Sequence, residues 1–211
     1  MTRSLALPRP SAAQYAGWVM VGLLVVVAWR ARVAAAHDET AHSATSGERS
    51  LAERLLGPVA SLAAAAVWVR ADVALRAGEY STAYARAETA LELEPSRADA
   101  WIYFAHHLVF ERASLSRTVD PAERRAWVQA GFDVLARGAR ATRDPGEVLA
   151  YRGLVFDYLA AVPDADRPWP GTAREALLEA ARAFDAAHAA GAADAAELAE
   201  IARAKAAELA R

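Results

Sequence analysis

His106, His107 and Glu111 are the side chains whose types and spacing come closest to doing chemistry. On a helix His107 and Glu111 stand four residues apart and share a face, so the pair could ligate a metal ion or hold a proton between imidazole and carboxylate. Two ligands are too few for zinc, and adjacent helical residues point about 100° apart, so His106 and His107 do not readily serve one ion. The competing reading is structural, with one histidine hydrogen-bonded in packing and the other at the surface. His37, Asp38, Glu39 and His42 form a second cluster, which reads as part of a solvated linker. The motifs G-x-x-x-x-G-K-[ST], G-x-S-x-G, G-x-G-x-x-G and H-E-x-x-H are all missing. There is no cysteine, which excludes disulfides, thiolate nucleophiles and cysteine-based zinc sites. The expectation is a non-catalytic protein with no cofactor and no metal. An accessory enzyme or metal-binding factor using His106, His107 and Glu111 is one alternative.

Other features of the chain position these residues. Ser11 to Trp29 carries no charge and is fenced by Arg9 on one side and Arg30 and Arg32 on the other. About twenty apolar residues span a hydrocarbon core at about 1.5 Å per residue, so residues 12–30 are expected to form a transmembrane helix. Tyr15, Trp18 and Trp29 sit toward its ends, where amphipathic rings suit the head-group region. Residues 1–11 are then a short tail. The basic flanks are nearly balanced; the amino terminus is expected inside and the helical domain outside. Abundant arginine and alanine with Lys205 the only lysine suggest a bacterial chain, so the membrane expected is a bacterial inner membrane. Ala34-Ala35-Ala36 offers a cleavage site, which leaves a secreted or periplasmic product as the alternative.

Beyond the anchor, residues 31–57 read as a juxtamembrane spacer in which a short lead helix is allowed from Ser50. Residues 58–211 carry helical signals throughout. Asp120-Pro121-Ala122-Glu123 and Asp144-Pro145-Gly146-Glu147 each place an acid, a proline and a glutamate where a first turn wants them. Ser96 with Asp99, Thr172 with Glu175 and Asp194 with Glu197 share the spacing of a capping box. These starts, with stops at Gly78, Pro95, Pro163 and Gly191, give helices near 58–77, 80–94, 97–113, 121–142, 145–161, 172–189 and 194–210. Strand patterning is lacking, so the expected class is all-α. The last helix places Ala195, Leu198, Ile201, Ala202 and Leu209 on one face and reads as a cap. With 24 basic against 26 acidic residues, and four of the arginines flanking the anchor, nucleic acid is not an expected partner.

The helices pair into hairpins with a recurring pattern. Ala71 and Ala105 occupy equivalent places, separated by 34 residues (105 minus 71), and Gly78, Tyr80, Ala83, Ala90, Leu91 and Pro95 complete the first unit. The second opens with Trp101-x-x-Phe104-Ala105-x-x-Leu108, and a third, Leu149-x-x-Arg152-Gly153-x-x-Phe156, lies 48 residues on (153 minus 105). From Ala64 to Gly191 this resembles the tetratricopeptide repeat, with Val67 at the tryptophan position, Trp68 one place beyond, and Ala87 where a large residue is expected. The first unit is therefore expected to pack loosely. The run of Trp101-x3-Ala105, Trp127-x3-Gly131-x3-Leu135 and Pro145-x3-Leu149-x3-Gly153 is also similar to membrane-anchored helical-repeat proteins of bacteria that have no known activity.

The resemblance implies a short α-solenoid of about three hairpins whose first helices form a concave wall. In the family's register that wall falls on Trp68, Asp72, Leu75 and Arg76, then on Ile102, His106, Val109 and Phe110, then on Ala150, Leu154, Asp157 and Tyr158. Trp68, Asp72, Arg76, His106, Phe110, Asp157 and Tyr158 are the expected partner-binding residues, since aromatic anchors among a few charges suit a protein or peptide. Trp68, Phe110 and Tyr158 could equally be core of a short stack. The function implied is a membrane-anchored module for protein–protein interaction or scaffolding. A structural subunit of a membrane assembly is a further alternative. Trp169, between Pro168 and Pro170, is either a presented contact or a ring folded over its own hairpin.

Overall fold

The computed structural model describes residues 58–210. The expected tail (1–11), transmembrane helix (12–30) and spacer (31–57) lie outside the described residues. Seven α-helices and one π-helical segment make up the described residues, with no strand among them. The α-helices are α1 (Pro58–Arg76), α2 (Tyr80–Leu93), α3 (Ala98–His106), α4 (Pro121–Ala141), α5 (Pro145–Ala161), α6 (Ala173–Ala189) and α7 (Ala195–Glu208). They form three consecutive hairpins, α1–α2, α3–α4 and α5–α6, with α7 packed on α6. None of them is long and apolar enough to cross a membrane.

Local chemistry sets the helix ends. Gly78 (φ 78°) and Gly191 (φ 100°) take the left-handed conformation after α1 and α6. In both places two backbone N–H groups turn back onto the helix, Glu79 to Ala74 O with Gly78 to Leu75 O, and Ala192 to Ala187 O with Gly191 to His188 O. That is the Schellman arrangement, which satisfies carbonyls the helix leaves open. At the other ends, Asp120 accepts from Ala122 N at 3.0 Å, and Thr172 and Glu175 form a complete capping box. Three expected caps differ. Asp144 and Asp194 make no side-chain cap, and α3 starts after Arg97, whose guanidinium is engaged with Asp99 instead.

The expected helix 97–113 is divided. It is α-helical to His106 and π-helical from His107 to Arg112, with Ala113 N donating to Leu108 O at 3.1 Å. The widened turn lets three successive residues, His107, Leu108 and Val109, all be buried. Val109, expected on the wall, is core for this reason.

The second and third hairpins close where side chains are missing. A Cβ on Gly131 would lie 2.5 Å from Val109 Cγ2, one on Gly138 2.7 Å from Trp101 Cγ, and one on Gly153 2.5 Å from the Phe184 ring. The expected buried face of the last helix also shifts. Ala195, Ala199, Ala202 and Ala206 are buried, whereas Ile201 and Leu209 are exposed. Against α6, whose buried face is itself mostly alanine (Ala176, Ala180, Ala183, Ala187), the small side chains let the axes close up, and larger ones are turned out.

Two buried arginines hold the long connections. Arg124 (6% exposed) donates from Nε to Ala113 O at 2.8 Å, and Thr118 Oγ1 donates to Arg112 O at 2.7 Å. Arg167 (8% exposed) donates to the carbonyls of Leu159, Val162 and Gly171 and pairs with Asp164 at 2.6 Å. Trp169 folds back, its ring 5.7 Å from that of Phe156.

Gly138→Ala is expected to lower stability by about 1 kcal/mol, because overpacking by about 1–3 kcal/mol outweighs the helix-propensity gain of about 1 kcal/mol. The Trp101 Cβ and Cγ that the new methyl meets cannot swing away, since Trp101 Nε1 donates to Pro95 O at 2.8 Å. Thermal and urea unfolding of the two proteins checks this, and an unchanged midpoint would remove the close-approach account.

Candidate functional site

α3, its π-helical continuation and α5 lie side by side and bring a row of aromatic rings to one surface. His106 and Phe110 are one turn apart with ring centroids at 4.7 Å, and Phe110 meets Tyr158 of α5 at 4.7 Å. His106 Nδ1 is 2.6 Å from the Tyr151 hydroxyl. His106 and Tyr158 are exposed, Phe110 and Tyr151 half-buried, and Leu154 next to them is 49% exposed. Half-burial raises the Tyr151 hydroxyl to about 12, so it remains protonated as a hydrogen-bonding group at neutral pH.

Of the seven residues expected to bind a partner, three therefore form one wall: His106, Phe110 and Tyr158. Asp157 lies beside it, but Lys205 of α7 holds its carboxylate at 2.8 Å. Trp68 and Asp72 belong to a second feature, a cleft of about 600 Å³ between the first hairpin and α3. Trp68 is half-buried against Tyr103 (5.6 Å, edge to face) and Phe104 (6.5 Å). Asp72 lines the cleft, and Arg76 forms an ion pair with it in a neighbouring hollow. Ala87, where the repeat pattern leads one to expect a large side chain, is buried at the cleft with Ala71 and Ala83.

Tyr84 ties the cleft to the second hairpin. Its ring lies against Phe104, His107 and Trp127 at 5.6–5.9 Å, and burial raises its hydroxyl to about 12. Together with the Arg137–Glu88 pair at 2.7 Å, it fixes the first hairpin to the rest. Arg112 completes this junction, its guanidinium 4.2 Å from the Tyr80 ring and 4.9 Å from that of Trp127.

The two histidines part company. His107 is buried, its Nδ1 2.9 Å from Glu111 and its Nε2 3.5 Å from the Tyr84 hydroxyl, while His106 faces Tyr151. Among the described residues no group of three or more histidine, aspartate or glutamate side chains converges as metal ligands would. The cluster at His37, Asp38, Glu39 and His42 lies outside them. Burial lowers the His107 pKa, and the Glu111 carboxylate opposes that shift in part. The neutral ring thus donates from Nδ1 to Glu111 and keeps a lone pair on Nε2.

Sequence reasoning missed Tyr84, Tyr103 and Tyr151. Tyr151 carried a signal, since it stands seven residues before Tyr158 and so on the same helical face. Tyr103 stands one place from the expected Ile102, a rotation that one sequence does not settle. No protein-family model, curated protein or solved structure matches this chain.

A histidine whose folded pKa lies below its unfolded value of about 6.5 binds more protons when unfolded, so its contribution to stability is complete above that pH and is lost as pH falls. The melting temperature is expected to drop between pH 7.5 and pH 5.5, roughly the window of histidine titration. His107→Gln should flatten that part of the profile. An equal slope in the variant would remove His107 as its source.

Proposed function

We propose that this chain is a non-catalytic, membrane-anchored module of tetratricopeptide-like hairpins that holds a protein or peptide partner on its concave face. One observation carries the reading. His106, Phe110 and Tyr158, from two successive first helices of the hairpins, present a continuous aromatic wall that the fold leaves partly open to solvent. Rigid aromatic side chains give a large contact area at little entropic cost, which is why they dominate binding hot spots. Further support comes from below the wall. Gly131 and Gly153 let α4 and α6 press against the backs of these helices, so the rings stand on a packed base.

In this reading the anchor at 12–30 and the spacer at 31–57 keep the helical domain near the membrane face, with the amino terminus inside. The wall is better suited to an apolar or aromatic segment than to a charged one. The Asp157 carboxylate is occupied by Lys205, and Arg112 is engaged with Tyr80 and Trp127.

Photo-crosslinking from position 154, at the centre of the wall, tests the proposal in cells, with position 133 on α4 as the control. A discrete adduct at 154 and not at 133 is expected. Phe110→Ala or Tyr158→Ala should weaken capture by roughly tenfold or more, the scale of a lost aromatic hot spot. Unchanged capture in both folded variants would sink the groove reading.

A further inference from the structure

The cleft between the first hairpin and α3 is separate from the aromatic wall and has a chemistry of its own. Its volume, about 600 Å³, lies in the range of pockets that enclose small molecules, roughly 300–1,000 Å³. Alanines from both helices of the hairpin make its floor, and Trp68, Tyr84, Tyr103 and Phe104 supply aromatic walls. We infer that this cleft binds an organic ammonium ion carrying an aryl or short alkyl body.

Three observations select that class. Aromatic walls favour cations, because the ring quadrupole is negative over its faces. The charged side chains on the cleft are Asp72, Asp99 and Arg97, one more negative than positive. Arg97 is already spent on Asp99 and Glu94, so it offers little to an anion. At the inner end, His107 donates from Nδ1 to Glu111 and leaves Nε2 as a lone-pair acceptor. The Tyr84 hydroxyl reaches that nitrogen only at 3.5 Å, a long contact that an ammonium N–H could replace with a shorter one.

The ion pairs around the cleft keep that excess of one, with Asp72, Asp99 and Glu94 set against Arg76 and Arg97. Arg76 is held by Asp72, and Arg112 lies against Tyr80 and Trp127, so neither is free to receive an anion. Arg117 lines the neighbouring hollow of about 230 Å³ and not the cleft. An anionic ligand would meet aromatic rings, ion pairs with one carboxylate in excess and a lone pair. A neutral one would forgo the attraction of all three.

Fluorine NMR on the purified full chain at neutral pH tests the inference with three probes of similar shape. These are para-fluorophenethylammonium, the neutral 3-(para-fluorophenyl)propanol and the anionic 3-(para-fluorophenyl)propionate. The ammonium ion is expected to bind about tenfold more tightly than the alcohol, with the carboxylate weakest. Ala87→Phe should fill the cleft and abolish binding while the thermal melt stays cooperative. Asp72→Asn should reduce the preference for the cation by about threefold or more. Phe110→Ala should leave binding intact, so the outcome is independent of the partner-binding wall. Equal binding of all three probes, no binding of the ammonium ion, or full binding by a folded Ala87→Phe protein would overturn the inference. If Ala87→Phe does not fold, unchanged selectivity in Asp72→Asn overturns it.

Discussion

At Gly138 the backbone of α4 lies against the Cβ and Cγ of Trp101, and this contact sets the spacing on which the second hairpin is built. Two helices can approach this closely only where one presents no side chain, and the rows of residues on either side must then interlock. Gly131 against Val109 and Gly153 against Phe184 apply the same rule along the stack, and the alanine faces of α6 and α7 apply it in a softer form. With the axes drawn together, the large side chains are displaced to the flanks. Trp101, Phe104, Phe132 and Phe156 fill the interior on one side, and His106, Phe110 and Tyr158 are left at the surface on the other.

Between the first hairpin and α3 no such close approach occurs. The contact there runs through the rings of Trp68 and Tyr84. Rings at 5.6–6.5 Å act as struts that hold helices apart, and alanines between them cannot fill the gap. The cleft is therefore a consequence of how the hairpin is attached. Its polar edge has the same origin, because Asp72 and Asp99 project from the helices that flank the opening.

Helix existence and order were legible because caps, prolines and glycines act locally. Gly78 and Gly191 mark stops through backbone conformation alone, and Thr172 with Glu175 needs only its own first turn. Features that depend on a second element were not legible. The residues buried on α7 are chosen by the alanine face of α6, so hydrophobicity alone put Leu209 on the wrong side. Arg167 reads as a solvated charge until three carbonyls of its own loop surround it. The wall was partly visible, since the repeat register placed His106, Phe110 and Tyr158 together. Val109 is core, where the turn widens, while Trp68 and Asp72 line the cleft beside the open first hairpin and Arg76 the neighbouring hollow.

The π-helical segment from His107 to Arg112 holds one residue more than an α-helix would need to cover the same rise. It is therefore a place where chain length and helical phase are decoupled. A single deletion there would restore regular winding and leave the residues on either side in the phase they already have. What it would remove is the run of three successive buried side chains from His107 to Val109. Length at this one turn, more than residue identity, lets the helix bury three neighbours in a row.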